Sequence, residues 1–293
     1  MKTHIQNHLS QVLQHLYVNP LERCNLRCKI CYTRKTSPIL TELEIVDFVN
    51  KYQKTQSLKI ITFCGGEVFT LKYFPALINY LTDLGLFIQI ITNGTIDHLK
   101  DLKNPNAVNL IVSIDGPESY HDQNRGEGTF QKSIAFLNHA KKMGFHTEIF
   151  SIVTKQNFEM INDFEKYINN IVGNIQITYH PRKPLTYLTQ HPISNIVGRT
   201  ENFNYPTEQQ LTKLYQTKTV FPPKNLGCYQ IALMSDGKIY GCCEGTLPIG
   251  TIKDSIPKLI DRLTQRLKNW DKNNAKLSCL GCSQPDFVCG LKL

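Results

Sequence analysis

No run of apolar residues in this sequence approaches the roughly 18 needed to cross a membrane, and residues 1–10 hold no apolar core of signal-peptide length. Neither a membrane-embedded nor an exported protein is expected, and the cytoplasm is the expected location. There is no internal repeat, which excludes a solenoid, and no low-complexity tract. The absence of a GxGxxG turn removes the usual dinucleotide-binding connection. Acidic residues are in deficit: 24 Asp and Glu face 33 Lys and Arg, a formal charge of +9. That balance suits an anionic partner, whether an acidic electron carrier, an acidic peptide or an RNA, and equally a plain solvated surface. What the sequence does not lack is cysteine. Ten cysteines in a chain without an export signal read as metal ligands rather than disulfides.

At 293 residues with 41% hydrophobic content, the chain has room for one large domain and a small one. Apolar, β-rich runs recur at residues 16–18, 58–63, 87–92, 108–114, 147–153 and 175–179. Between them, stretches of helical period lie at 41–53, 71–84, 131–143 and 158–171. Such alternation predicts a parallel sheet with right-handed crossovers. Six strands before the pattern stops predict an α/β fold, a partial (β/α)6 TIM-type barrel rather than a closed eight-stranded one. Its chemistry is expected at the C-terminal ends of the strands.

After the first strand comes Leu21-Glu-Arg-Cys24-Asn-Leu-Arg-Cys28-Lys-Ile-Cys31-Tyr32. Three soft ligands in one tight loop can hold three irons of a 4Fe-4S cubane and leave the fourth iron without a protein ligand. An open metal position is where substrate or cofactor binds. The Cys28/Cys31 half alone also fits a structural zinc site or a redox dithiol. The whole pattern, CxxxCxxC followed by an aromatic, resembles the signature of the radical S-adenosylmethionine (SAM) enzymes. The resemblance implies a cluster whose open iron is chelated by the amino and carboxylate groups of SAM. It also implies reductive cleavage of SAM to a 5'-deoxyadenosyl radical, hydrogen abstraction from substrate, oxygen sensitivity, and a flavodoxin- or ferredoxin-like electron donor.

The second strand runs into Cys64-Gly65-Gly66-Glu67. A double glycine lets backbone approach a ligand closely, and the carboxylate beside it can accept from an ammonium group; a glycine-rich strand-to-helix connection reads the same way. One βα unit after the cysteines, the segment resembles the family's GGE motif, which implies Gly65, Gly66 and Glu67 at the amino group of SAM. Cys64 is expected to be a small core residue. The third strand ends at Asn93-Gly94 and the fourth at Ser113-Ile-Asp115-Gly-Pro117. On an extended chain Ser113 and Asp115 share a face, so a hydroxyl and a carboxylate point together. Both segments are ordinary turn chemistry on their own. They also resemble the family's SAM-binding positions, which implies Asn93 near SAM and Ser113 with Asp115 at its ribose. The stretch from His121 to Phe130 resembles one found in peptide-modifying members. Arg125, in what reads as a glycine-rich loop, is either solvated or paired with an anion, SAM's carboxylate by implication. On the fifth strand Ser151, Thr154 and Asn157 are candidates for lining the cavity, with helix capping the alternative for Asn157.

Residues 180–206 hold four prolines and no sustained period, and a loop this long is functional or disordered. It reads as a lid over the open side of the barrel, with Tyr179, His180, Arg182 and Tyr187 as substrate contacts. Beyond it, Cys228 and Cys242 flank a predicted β-hairpin turning at Asp236-Gly237, whose closed ends can bring both cysteines to one centre. Cys243, Cys279, Cys282 and Cys289 follow. With Pro248-Ile-Gly250-Thr-Ile, this resembles the C-terminal auxiliary-cluster domain of radical SAM enzymes, called SPASM with two clusters and twitch with one. Six cysteines cannot fully ligate two cubanes. The expectation is therefore one auxiliary 4Fe-4S cluster on Cys228, Cys242, Cys279 and Cys282, with Cys289 and then Cys243 as replacement ligands; a zinc ribbon would have nearly the same spacing. Residues 256–270 have the spacing of an amphipathic helix.

The divisions expected are an N-terminal extension over 1–15, the barrel over 16–180, a bridging lid over 181–226 and the cysteine-rich tail over 227–293. Three functional readings stay open. The preferred one is modification of a ribosomally made peptide by cross-linking, oxidation or epimerisation. Only 15 residues precede the first strand, so peptide recognition would fall to a separate partner protein. The second is dehydrogenation or rearrangement of a small metabolite such as a sugar or aminoglycoside. The third is a metal-stabilised nucleic-acid-binding protein without radical chemistry. A membrane is not an expected partner, nor, on the preferred reading, is nucleic acid.

Overall fold

The computed structural model describes residues 9, 13–31, 33, 35–182, 203–220, 231–241, 243 and 247–272. Within them the expected alternation is present: β1 (His15–Val18), α1 (Glu42–Gln53), β2 (Ile60–Phe63), α2 (Phe74–Asp83), β3 (Phe87–Thr92) and β4 (Val108–Ser113). These are followed by α3 (Glu118–Arg125), α4 (Thr129–Lys142), β5 (His146–Val153), α5 (Ile161–Val172) and β6 (Gln176–Pro181). The six strands pair in chain order, every ladder parallel, so their carboxyl ends share one rim. The fold is a partial (β/α)6 barrel.

Period-two alternation divides the work of each strand. One set, including Leu16, Val18, Ile88, Ile90, Ile149 and Val153, is fully buried. All of these but Val153 share one core with Phe48, Phe74, Leu77, Leu137 and Phe164 from the helices. The other set faces the barrel interior, and toward the strands' amino ends it is polar. His15 Nε2 meets Thr62 Oγ1 at 2.7 Å, and Thr62 in turn donates to Gln89 Oε1 at 2.7 Å. Farther round, Asn109 donates to Glu148 Oε1 at 2.5 Å. Helix α1 starts on a capping box in which Thr41 and Glu44 satisfy each other's backbone N–H groups.

On the free side of β1 the sheet continues. β7 (Ile231–Leu233) pairs parallel to it, Leu16 opposite Ile231, and β8 (Lys238–Tyr240) and β9 (Gly250–Thr251) add antiparallel strands. The predicted hairpin therefore exists, turning through Gly237 at φ 74°, but it extends the main sheet instead of standing apart. α7 (Ile256–Lys272) packs back through Ile256, Leu259 and Leu263. The bridge read over 181–226 contains α6 (Glu208–Thr217), which follows the aperiodic stretch 180–206, is capped by Thr207 and Gln210, and buries only Leu211 and Leu214. Two buried residues in ten are too few to raise an apolar period in the sequence. Val220 then bridges Tyr179 in parallel, so this segment covers the β6 edge. Among the described residues no helix is long and apolar enough to cross a membrane. Tyr187, Cys228, Cys242, Cys279, Cys282 and Cys289 lie outside the described residues.

Candidate active site

At the carboxyl rim of the barrel one cavity is lined by the thiols of Cys24, Cys28 and Cys31. Among the described residues no three His, Cys, Asp or Glu side chains converge on a point where one ion could sit. Three cysteines lining one cavity fit a cubane, in which each thiolate ligates its own iron. Their surroundings fit as well. Leu26 N–H lies 3.3 Å from Cys24 Sγ, Asn93 Nδ2 lies 3.8 Å from the same sulfur, and Cys31 Sγ meets Thr33 Oγ1 at 3.2 Å. Burial pushes the Cys28 thiol up to about 11 despite the pull of Arg125, and burial raises Cys24 too. Thiols so placed ionise when a metal core supplies the positive charge.

Gly65 and Gly66 line the same cavity, and the reason for glycine is close packing against the cysteine loop. A Cβ on Gly66 would stand 1.8 Å from Arg23 O, and one on Gly65 2.3 Å from Leu21 O. Gly66 N–H donates to Leu21 O at 2.9 Å and Glu67 N–H to Arg23 O at 3.0 Å, which prolongs the β1–β2 ladder into the loop. Glu67 does not open on the cavity. Its fully buried carboxylate accepts from Phe69 N–H at 3.2 Å, Thr92 Oγ1 at 2.9 Å and Asn93 N–H at 2.8 Å. Burial raises its pKa and those donors oppose the rise. Glu67 thus ties the end of β3 to the glycine turn. Asn93, which lines the cavity, completes the tie by donating to Asn25 Oδ1 at 2.9 Å.

Ser113 and Asp115 part company. Ser113 ends β4 facing the cavity, whereas Asp115 lies beyond the strand and is buried. Its carboxylate receives Arg125 Nε at 2.6 Å and Nη2 at 3.1 Å, Asn124 Nδ2 at 2.6 Å and Ile152 N–H at 3.1 Å. A sugar hydroxyl would have to displace one of these, so the expected ribose contact of Asp115 gives way to a grip on Arg125. Burial alone would raise the Asp115 pKa; the guanidinium outweighs it and holds the carboxyl below its usual value. The same carboxylate and Cys28 outweigh burial at Arg125 and keep it charged. Arg125 is not in a loop, as its glycine-rich surroundings suggested, but is the last residue of α3. That helix turns His121, Asn124 and Arg125 inward at i, i+3 and i+4. Asn124 also caps the cysteine loop, its backbone carbonyl accepting from Lys29 N–H at 2.9 Å and its side chain from Ile30 N–H at 3.2 Å.

Strand parity corrects other expectations. On β5 it is Phe150 and Ile152 that line the cavity, while Ser151 is buried on the opposite face. Past the strand, Thr154 and Asn157 are buried and brace the rim, with Asn157 Nδ2 donating to Asp115 O at 2.6 Å and Ile152 O at 2.8 Å. Asn157 makes no side-chain helix cap. On β6, Tyr179 turns away from the cavity and donates to Glu165 Oε1 at 2.9 Å, so it is a core residue; His180 and Arg182 face the cavity. Cys64, expected in the core, lines the cavity instead.

Residues 18–168 match the family model described as the Radical SAM superfamily. An AdoMet-dependent heme synthase of Methanosarcina barkeri is 32% identical over 147 residues, covering 47% of this chain and 42% of that protein. The chain spans about two fifths of the length of such heme-synthase relatives. The putative peptide biosynthesis protein YydG of Bacillus subtilis is 23% identical over 272 residues, 86% of this chain and 76% of that one. Among solved structures, native anSMEcpe with bound AdoMet and the Cp18Cys peptide shares the fold at a TM-score of 0.69 and 18% identity, over 94% of this chain and 91% of that one. With the family model matched over more than half of its length and three thiols gathered at the rim, the chain belongs to the radical SAM superfamily, whose members use a 4Fe-4S cluster and SAM.

Proposed function

We propose that this enzyme takes hydrogen from a peptide substrate and leaves it oxidised, cross-linked or epimerised. The observation that carries the radical part of the reading is the convergence of three thiols, a glycine pair, Ser113 and a held arginine on one cavity. Cys24, Cys28 and Cys31 would hold a 4Fe-4S cluster with an iron left open to SAM, which when bound would supply the electron for reductive cleavage of SAM. The chain's own residues then have distinct tasks. Gly65 and Gly66 present bare backbone for the amino end of SAM. Arg125, aimed by Asp115, serves the carboxylate, and Ser113 and Asn93 offer polar contacts to the nucleoside. Glu67 is a positioning residue that acts through the turn it clamps. Phe150 and Ile152 supply an apolar wall that keeps water from a reactive centre.

The peptide is favoured by the number of peptide-modifying relatives: a putative peptide biosynthesis protein aligned over 86% of this chain and a sporulation killing factor maturation protein over 48%, beside a GTP 3',8-cyclase aligned over 80%. One auxiliary cluster on Cys228, Cys242, Cys279 and Cys282, in a twitch-like tail, would accept an electron from the substrate and make the net change an oxidation. A flavodoxin- or ferredoxin-like donor and a separate peptide-recognition protein complete the proposed system. The test is 5'-deoxyadenosine formation by the anaerobically reconstituted, reduced protein given SAM and cell extract from its source. Stimulation that protease treatment removes is the expected result. Stimulation that survives in a small-molecule filtrate overturns the peptide reading, and formation that persists when Cys24, Cys28 and Cys31 are all alanine overturns the radical one.

A further inference from the structure

Two arginines face the cavity, and their charges are handled differently. Arg125 is matched by Asp115. Arg182, only 4% exposed, reaches the cavity just past β6, where its backbone N–H is fixed to Val153 O at 2.7 Å. Its Nη1 donates to Ile30 O at 3.1 Å, between Cys28 and Cys31 in the cysteine loop. Its Nη2 is buried without a partner, and no carboxylate pairs with it among the described residues. A guanidinium keeps its charge when buried, and an unmatched buried charge is costly. An apolar side chain here would avoid that cost. The side chain lines the cavity and its Nη2 has no partner, so an anionic acceptor entering the cavity would complete its set of partners.

We propose that Arg182 is a carboxylate receptor and that the carboxylate belongs to the substrate, an acidic residue of the peptide. This rests on the peptide reading above and narrows it. SAM carries a carboxylate too, but Arg125 already stands beside Cys28 with its geometry set by Asp115. The two arginines thus divide two anions between them. Arg182 selects which segment of a peptide comes to rest against Phe150 and Ile152.

The probe is N-acetyl-glutamate α-amide, compared with the neutral N-acetyl-glutamine amide, on the anaerobically reconstituted, SAM-loaded full chain. Binding of each is measured by saturation-transfer NMR, and SAM affinity separately by equilibrium dialysis. Neither readout involves turnover, so this inference and the peptide reading can fail independently. The acidic probe should bind about 10- to 100-fold tighter than the neutral one, the range of a charge-assisted hydrogen bond. Arg182→Gln should erase that preference and leave SAM affinity at the wild-type value. Arg182→Lys, which keeps the charge but not the fork, should retain a reduced preference and guards against a folding defect in the glutamine variant. No preference in the wild type, or a preference surviving in Arg182→Gln, would overturn the inference. A tenfold or greater loss of SAM affinity in Arg182→Gln would reassign the residue to SAM's own carboxylate.

Discussion

Asp115 N–H donates to His121 Nδ1 at 3.3 Å, and the ring is otherwise enclosed, edge-on to Phe130 with its Nε2 buried and unpartnered. A proton on Nδ1 would meet a donor that already points at it. Burial therefore takes the His121 pKa from 6.5 down to about 4. The unfolded chain binds this proton below about 6.5, and the folded chain not until about 4. Its contribution to stability is thus complete above the upper value and is lost as the pH falls through that window. The loss reaches roughly 3 kcal/mol at the bottom. Asp115, held low by Arg125, acts in the same direction but only below the ordinary carboxylate value of 3.8. Urea midpoints between pH 7 and 4.5 should therefore decline less steeply for His121→Asn, whose side chain can accept from the same N–H without titrating. Parallel declines for the two proteins would remove His121 from this role.

The strands were legible because each is an apolar run broken by turns. α3 was not, because its periodic residues are polar: His121, Asn124 and Arg125 turn inward to serve Asp115 and the cysteine loop. An apolar period cannot reveal a helix whose buried face is hydrophilic. Cysteine spacing and the double glycine marked the cavity, but strand parity decided which neighbours reach it, and the first residue of each strand sets that parity. This is why Ser151 gave way to Phe150 and Ile152, and why of Tyr179 and His180, both expected at the cavity, only His180 lines it. The glycine turn and the cysteine loop form one unit, so changing the turn should move the thiols. In Gly66→Ala the methyl group would have to displace backbone at Arg23 O. A shift of about an ångström at a reacting centre costs on the order of 100-fold in rate. Deoxyadenosine formation should fall by about that factor in Gly66→Ala, with iron loading also reduced. Gly85→Ala meets nothing within 4 Å and should leave both unchanged, at some cost in stability from its φ of 78°. Equal rates in the two variants would contradict the shared-unit reading.

Across the whole molecule, one sheet runs from β6 through β1 to β9, so the strand that launches the cysteine loop is also the strand that receives the C-terminal hairpin. Asn19, on the way to Cys24, donates its N–H to Leu233 O of β7 at 2.8 Å. In sequence, Cys228 stands three residues before Ile231 and Cys242 two after Tyr240, at the two ends of that hairpin. If the tail carries a cubane, the reconstituted chain should contain about eight irons. Replacing Cys228, Cys242, Cys279 and Cys282 together by alanine should lower this to about four while sparing SAM binding, and replacing Cys24, Cys28 and Cys31 should lower it to about four while abolishing SAM binding. Iron and zinc analysis of the three proteins decides the matter. About four irons and one zinc in the wild type, with the zinc lost from the tail variant, would make the tail a structural ribbon. The electron from an oxidised substrate would then have to leave by another route.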